Sequence, residues 1–141
     1  MPDTATTFLF GDGEYTFWLP LPQVMELQKL CGLRDDGGRL HPKSFETIFI
    51  NLSEGGALPE EVNAVIRLGL IGGNCGLVNG EEIEVGPLLA KRLVETYGYP
   101  ARTFVEVKEH AYRILHAAII GIDLKKKPEA KLDGDANPLS P

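Results

Sequence analysis

Two short runs of threonine and aromatic residues, TTFLF and EYTFW, flank Asp12-Gly13 near the start of the chain. Such a pair accepts the positive φ angles of a tight two-residue turn, so the segment Thr6–Leu19 reads as a β-hairpin. With Asp12-Gly13 as the loop, Phe10 faces Tyr15, Phe8 faces Phe17 and Thr6 faces Leu19. These six residues then share the side of the ribbon that turns toward a core. Leu9, Thr16, Trp18 and Thr7 lie on the other side, where Trp18 is either half-buried packing or an anchor for a partner. A two-stranded ribbon is not stable alone, so helices must cover it.

Helical patterns fill most of the chain after the hairpin. Pro20 and Pro22 open a short helix with Val24, Leu27 and Cys31 on one stripe and Gly32 as its stop. After the loop LRDDGGRL, a second helix starts near Pro42 and carries Phe45, Ile48, Phe49 and Leu52 to Gly55-Gly56. A third opens at Pro59-Glu60-Glu61, where acidic groups meet the positive end of the helix dipole. Its stripe is Val62, Val65, Ile66 and Gly69, and the sequence predicts a stop with Gly72 or Gly73 as the left-handed cap. A fourth spans Pro87–Tyr97, stopped by Gly98 and Pro100. The fifth begins at Thr103, which forms a capping box with Glu106, and runs to about Ile122. Between the third and fourth, Asn79-Gly80 marks either a second short hairpin or an ordered loop across residues 77–85. The expected fold is therefore mainly α: a small bundle of about five helices with an N-terminal β-hairpin.

A chain of 141 residues fits one domain, here residues 1–124, followed by a flexible tail at 125–141 that is poor in apolar residues. The net charge of -6 gives no electrostatic footprint for a phosphate backbone, so nucleic acid is not an expected partner. No apolar run approaches the roughly 20 residues that span a bilayer, and MPDTATTFLF lacks the features of a secretory signal. The expectation is a cytoplasmic protein with no membrane partner. Cys31 and Cys75 are too far apart for a disulfide framework or a zinc site.

The segment VIRLGLIGGNCG, Val65–Gly76, tests whether the chain is an enzyme. A phosphate loop needs glycines that open a helix, whereas these follow one and so offer the negative end of its dipole. Cys75 as a nucleophile needs a base within reach, and none of His41, His110 and His116 is placed near it by sequence. His110 and His116 lie on different faces of the fifth helix and do not make a metal pair. The pairs Asp35-Asp36, Glu60-Glu61 and Glu81-Glu82 read as solvated charge and dipole partners. No catalytic, cofactor or metal residues are expected. The glycines read as packing: Gly69 sits on an apolar stripe, where a missing side chain permits close contact at a propensity cost of about 1 kcal/mol.

The order of these segments resembles a known family. FGDGEYTFWLPLPQVMELQKLCG, then SFETIFINLSEGG, LPEEVNAVIRLGLIGGN and a long helix ending ILHAAIIG is similar to phage tail assembly chaperones of the gene-transfer-agent type. The resemblance covers about residues 6–122, and its most specific part is IRLGLIGG, in which Arg67, Gly69, Gly72 and Gly73 match the motif. It implies a small, mostly helical, non-enzymatic factor that binds the tape measure protein, keeps it soluble and helps tail tube protein assemble around it. The alternative in the same setting is a structural tail component retained in the particle, for which a β-rich core is expected. The chain departs from the pattern at CGLVNGEEIEVGP, which is longer than the link expected between the glycine pair and the next helix. Apolar residues at the end of the fifth helix, Ile114, Leu115, Ile119 and Ile120, and the outer hairpin face at Leu9 and Trp18 are the candidate partner-binding surfaces.

Overall fold

The computed structural model describes residues 1–122. The 125–141 segment lies outside the described residues, as does the end of the 1–124 unit. The element order is β1 (Ala5–Phe10), β2 (Gly13–Trp18), α1 (Leu21–Leu30), β3 (Leu33–Arg34), β4 (Leu40–His41), α2 (Phe45–Glu54), α3 (Pro59–Gly73), β5 (Cys75–Val78), β6 (Glu81–Ile83), α4 (Pro87–Tyr97) and α5 (Phe104–Ile119).

The expectation of a mainly α bundle is overturned. The hairpin is half of a four-stranded antiparallel sheet of order β1-β2-β5-β6, and β3 and β4 form a separate two-stranded ribbon, so the fold is mixed α/β. Residues 77–85 are the reason. Asn79 and Gly80 take φ of 53° and 81°, the left-handed pair of a tight hairpin turn, and fold β6 back on β5. β5 in turn pairs with β2, Thr16 opposite Cys75 and Glu14 opposite Leu77. The segment that departs from the family pattern is thus the segment that completes the sheet.

The first hairpin also differs in register. Its turn is Gly11-Asp12, with Gly11 at φ 64°, so Phe8 faces Tyr15 and Thr6 faces Phe17. Glycine at the first central position suits a turn of the II′ kind. The shift is two residues, and because side chains alternate with a period of two, Phe8, Phe10, Tyr15 and Phe17 still face inward. Phe8 and Phe17 stack with centroids 4.3 Å apart, and Phe10 meets Phe17 edge to face at 5.9 Å.

α3 is the central helix. β2 covers one side of it, and α1, α4 and α5 pack around the rest. Leu68 and Leu70, off the expected stripe, are therefore as fully buried as Val62, Val65 and Ile66. The helix also outlasts its expected stop. Gly72 and Gly73 belong to its last turn, and the left-handed cap is Asn74 at φ 51°, whose N–H donates to the Leu70 carbonyl at 2.9 Å. The Asn74 side chain then accepts the Val85 N–H at 3.0 Å, tying the helix end to the segment after β6.

The other helix ends follow their local chemistry. Ser44 and Thr103 cap α2 and α5 by accepting the N–H of Thr47 and Glu106. α5 stops at Ile119, earlier than Ile122, because Gly121 turns left-handed at φ 92°. Gly121 therefore lies beyond the helix.

Candidate partner-binding surface

The matched glycines of the motif pack closely against other parts of the fold. A β-carbon at Gly72 would overlap the Trp18 carbonyl oxygen, and one at Gly73 the Thr16 carbonyl oxygen. The end of α3 thus lies directly on the backbone of β2, an approach that only glycine permits. Gly69 has more room, since a β-carbon there would lie 3.2 Å from Ile114 Cγ2 and 3.5 Å from Phe17 Cβ. Arg67 is half-buried and borders a shallow cavity of about 320 Å³ with Leu30, Cys31, Glu60 and Val94. The motif is architecture at its three glycines, of which Gly69 is buried while Gly72 and Gly73, like Arg67, are half-buried.

The expected surface at the end of α5 is mostly interior too. Ile114 and Leu115 are buried in the core and, contrary to expectation, present no surface to a partner. The apolar girth that suggested a sticky end is enclosed by α2, α3 and the first two strands. Ile119 is half-buried, and Ile120 is 63% exposed.

The outer hairpin face is open and larger than the sequence indicated. Leu9 is 66% exposed, whereas the Trp18 indole is half-buried and donates its N–H to Thr4 Oγ1 at 2.9 Å. Beside them the Thr7 and Thr16 hydroxyls are 3.1 Å apart. β5 continues this face with Cys75 and Leu77, the latter 44% exposed, and β6 adds Glu82. In register across the strands the residues form a row, Leu9, Glu14, Leu77 and Glu82. Leu77 and Glu82 were missed because the Asn79-Gly80 pair left their segment open between a short hairpin and a loop and gave no sign that it joins β2.

A second concavity of about 650 Å³ opens between the β3–β4 ribbon and the starts of α2 and α3. Leu33 and Leu58 stand exposed on its rim, and the Lys43–Glu61 ion pair, 2.8 Å between Nζ and Oε2, lies along it. The Glu61 side chain is only 5% exposed, and its other oxygen accepts the Leu58 N–H at 3.4 Å. Burial, with Glu61 second, pushes the neighbouring Cys31 thiol up to about 11. Cys31 is therefore a protonated core residue at neutral pH.

The histidines are engaged separately. His41 bonds Asp35 at 2.8 Å, a contact that, with the Arg39 and Gly37 amides, holds the Asp35 carboxyl below its usual range. His116 packs against Phe49 and Tyr112. His110 stacks on Phe8 with centroids 5.1 Å apart, on the sheet side opposite exposed Cys75. Among the described residues, no three His, Cys, Asp or Glu side chains gather where they could hold a metal ion, and no helix is long and apolar enough to cross a membrane.

Family models, curated proteins and solved structures yield no match to the chain.

Proposed function

We propose that this protein is a non-enzymatic tail assembly chaperone of the gene-transfer-agent type. It acts in the bacterial cytoplasm, binds the tape measure protein, keeps it soluble and assists tail tube protein in assembling around it. The observation that carries this reading is the order of sequence segments around IRLGLIGG, from the aromatic hairpin to the apolar end of α5.

Physical chemistry supports the role. A tape measure is long and helical with apolar stripes that aggregate unless covered during assembly. An acidic protein with exposed leucines on an open sheet face offers such cover. The test is co-expression with the large helical protein encoded nearby, followed by a pull-down. Binding and a gain in that protein's solubility are expected; neither occurring would sink the proposal.

The four-stranded sheet favours the second reading, a structural component kept in the particle. Stoichiometric amounts of the chain in purified particles would select it over the chaperone.

A further inference from the structure

The sheet has one covered face and one open face, and the charged residues of its strands are all acidic. α3 and α5 bury the inner side, where Phe8, Phe10, Tyr15 and Phe17 lie. On the outer side stand Leu9, Glu14, Leu77 and Glu82 in one row, with Thr7, Thr16 and Cys75 in the next. The charged residues within the four strands are Glu14, Glu81 and Glu82; none of the four contains lysine or arginine. No ion pair to Glu14 or Glu82 forms among the described residues.

This pattern selects a kind of occupant. An all-acidic face repels phosphate backbones and anionic lipid surfaces, and it repels a second acidic copy of itself. An added strand would extend an edge of the sheet and leave its face uncovered. Leu9 and Leu77 are separated by two strand spacings, about 10 Å, which one helix of about 10–12 Å diameter covers. A helix there would repeat on the outer side the layer that α3 makes on the inner side.

We propose that the outer sheet face docks an amphipathic helix of a partner protein, its apolar residues over Leu9 and Leu77, with one lysine or arginine reaching Glu14 between the two leucines and others facing Glu82 beyond them. The inference deepens the chaperone reading by naming the chemistry of the partner segment, and it rests on that reading for its biological setting.

Trp18, the single tryptophan of the chain, adjoins this face and reports on it. The full chain is titrated with a synthetic helix of about 20 residues bearing a leucine stripe flanked by lysines, and with its glutamate-flanked counterpart, while Trp18 emission is followed. A saturable change is expected with the lysine peptide and binding at least tenfold weaker with the glutamate peptide. Leu9→Asp and Leu77→Asp proteins, checked for unchanged circular dichroism, should each lose at least tenfold. Both variants add negative charge, so mere charge attraction would make them bind more tightly; that result, or no saturable binding to the native chain, overturns the proposal. If either variant fails to fold, Leu9→Ala and Leu77→Ala replace them, with a loss of several-fold expected and unchanged affinity overturning the docking face.

Two further outcomes would assign the face elsewhere and overturn the partner helix. A shift of Trp18 emission without peptide on replacing Lys125, Lys126 and Lys127 by glutamate would make this chain's own C-terminal segment the occupant. A peptide-free shift that depends on protein concentration would make it a second copy. Peptide binding together with failed tape measure co-expression rejects the chaperone reading and leaves the docking face standing.

Discussion

Gly73 of α3 rests against the carbonyl oxygen of Thr16 in β2, with no space between them for a β-carbon. Helix and strand backbones meet there without side chains in between, which fixes how the central helix lies on the sheet. Gly73→Ala gains about 1 kcal/mol of helix propensity but must push the two backbones apart. The expected net loss is about 1–3 kcal/mol in urea unfolding. Gly69→Ala meets only side-chain atoms, so it should stay within about 1 kcal/mol of the native protein. Equal effects at the two positions would contradict this division of roles.

The Lys43–Glu61 pair should respond asymmetrically. Lys43→Met leaves a carboxylate with 5% side-chain exposure lacking its partner, at a cost of roughly 3 kcal/mol. Replacing both residues by methionine should cost less than Lys43→Met alone, because no buried charge is left over. Denaturant midpoints of the three proteins decide the matter.

His110 gives the fold a pH dependence. Burial, ahead of the repulsion from Arg113 and Arg102, lowers its affinity for a proton, while Glu106 and Glu109 oppose the shift. Its Nδ1 is buried without a hydrogen-bond partner, wedged beside the rings of Phe8 and Phe10. The folded pKa lies below the unfolded value of about 6.5, so the unfolded chain takes up the proton first as pH falls. The stability contribution is complete above about pH 6.5 and declines below it until the folded form is protonated as well. His110→Phe should flatten this part of the stability profile between pH 7.5 and 5. A slope unchanged by the substitution would assign the acid sensitivity to other groups.

The two thiols should separate cleanly in rate. Cys75 is exposed on the outer sheet face, and Cys31 is buried with its pKa pushed up to about 11. A thiol reagent at pH 7.5 should label one site at the ordinary rate of an exposed cysteine and the second only on unfolding. Cys75→Ser should remove the first phase. Labelling of Cys75 far faster than a small-molecule thiol would instead indicate an activated nucleophile.

The helices were legible because their signals are local: proline starts, acidic first turns, apolar stripes and glycine stops all fall within one segment, although α3 runs past its expected glycine stop to Asn74. The sheet was only half legible. Nothing near Cys75 or Leu77 announces that β2 is their neighbour, since strand pairing joins residues far apart in the chain. Gly13 shows how this misleads. It read as a turn residue, yet the turn is made by Gly11, and Gly13 is needed because a β-carbon there would sit 2.6 Å from the Leu77 carbonyl oxygen. Ile114 and Leu115 misled for a related reason. An apolar helix end looks the same in sequence whether its own fold or a partner encloses it, and here the fold encloses those two and leaves Ile120 outside.

The pairing of β2 with β5 also sets an order of events at the ribosome. Synthesis delivers the aromatic hairpin first, and one edge of β2 stays without its neighbour until residues 75–83 have left the exit tunnel. Until then the nascent chain displays a half-finished sheet whose open strand edge and phenylalanine rings invite wrong pairing. The protein would thus spend its own first moments exposed to aggregation, and slowing translation before codon 75 should increase its loss to aggregates.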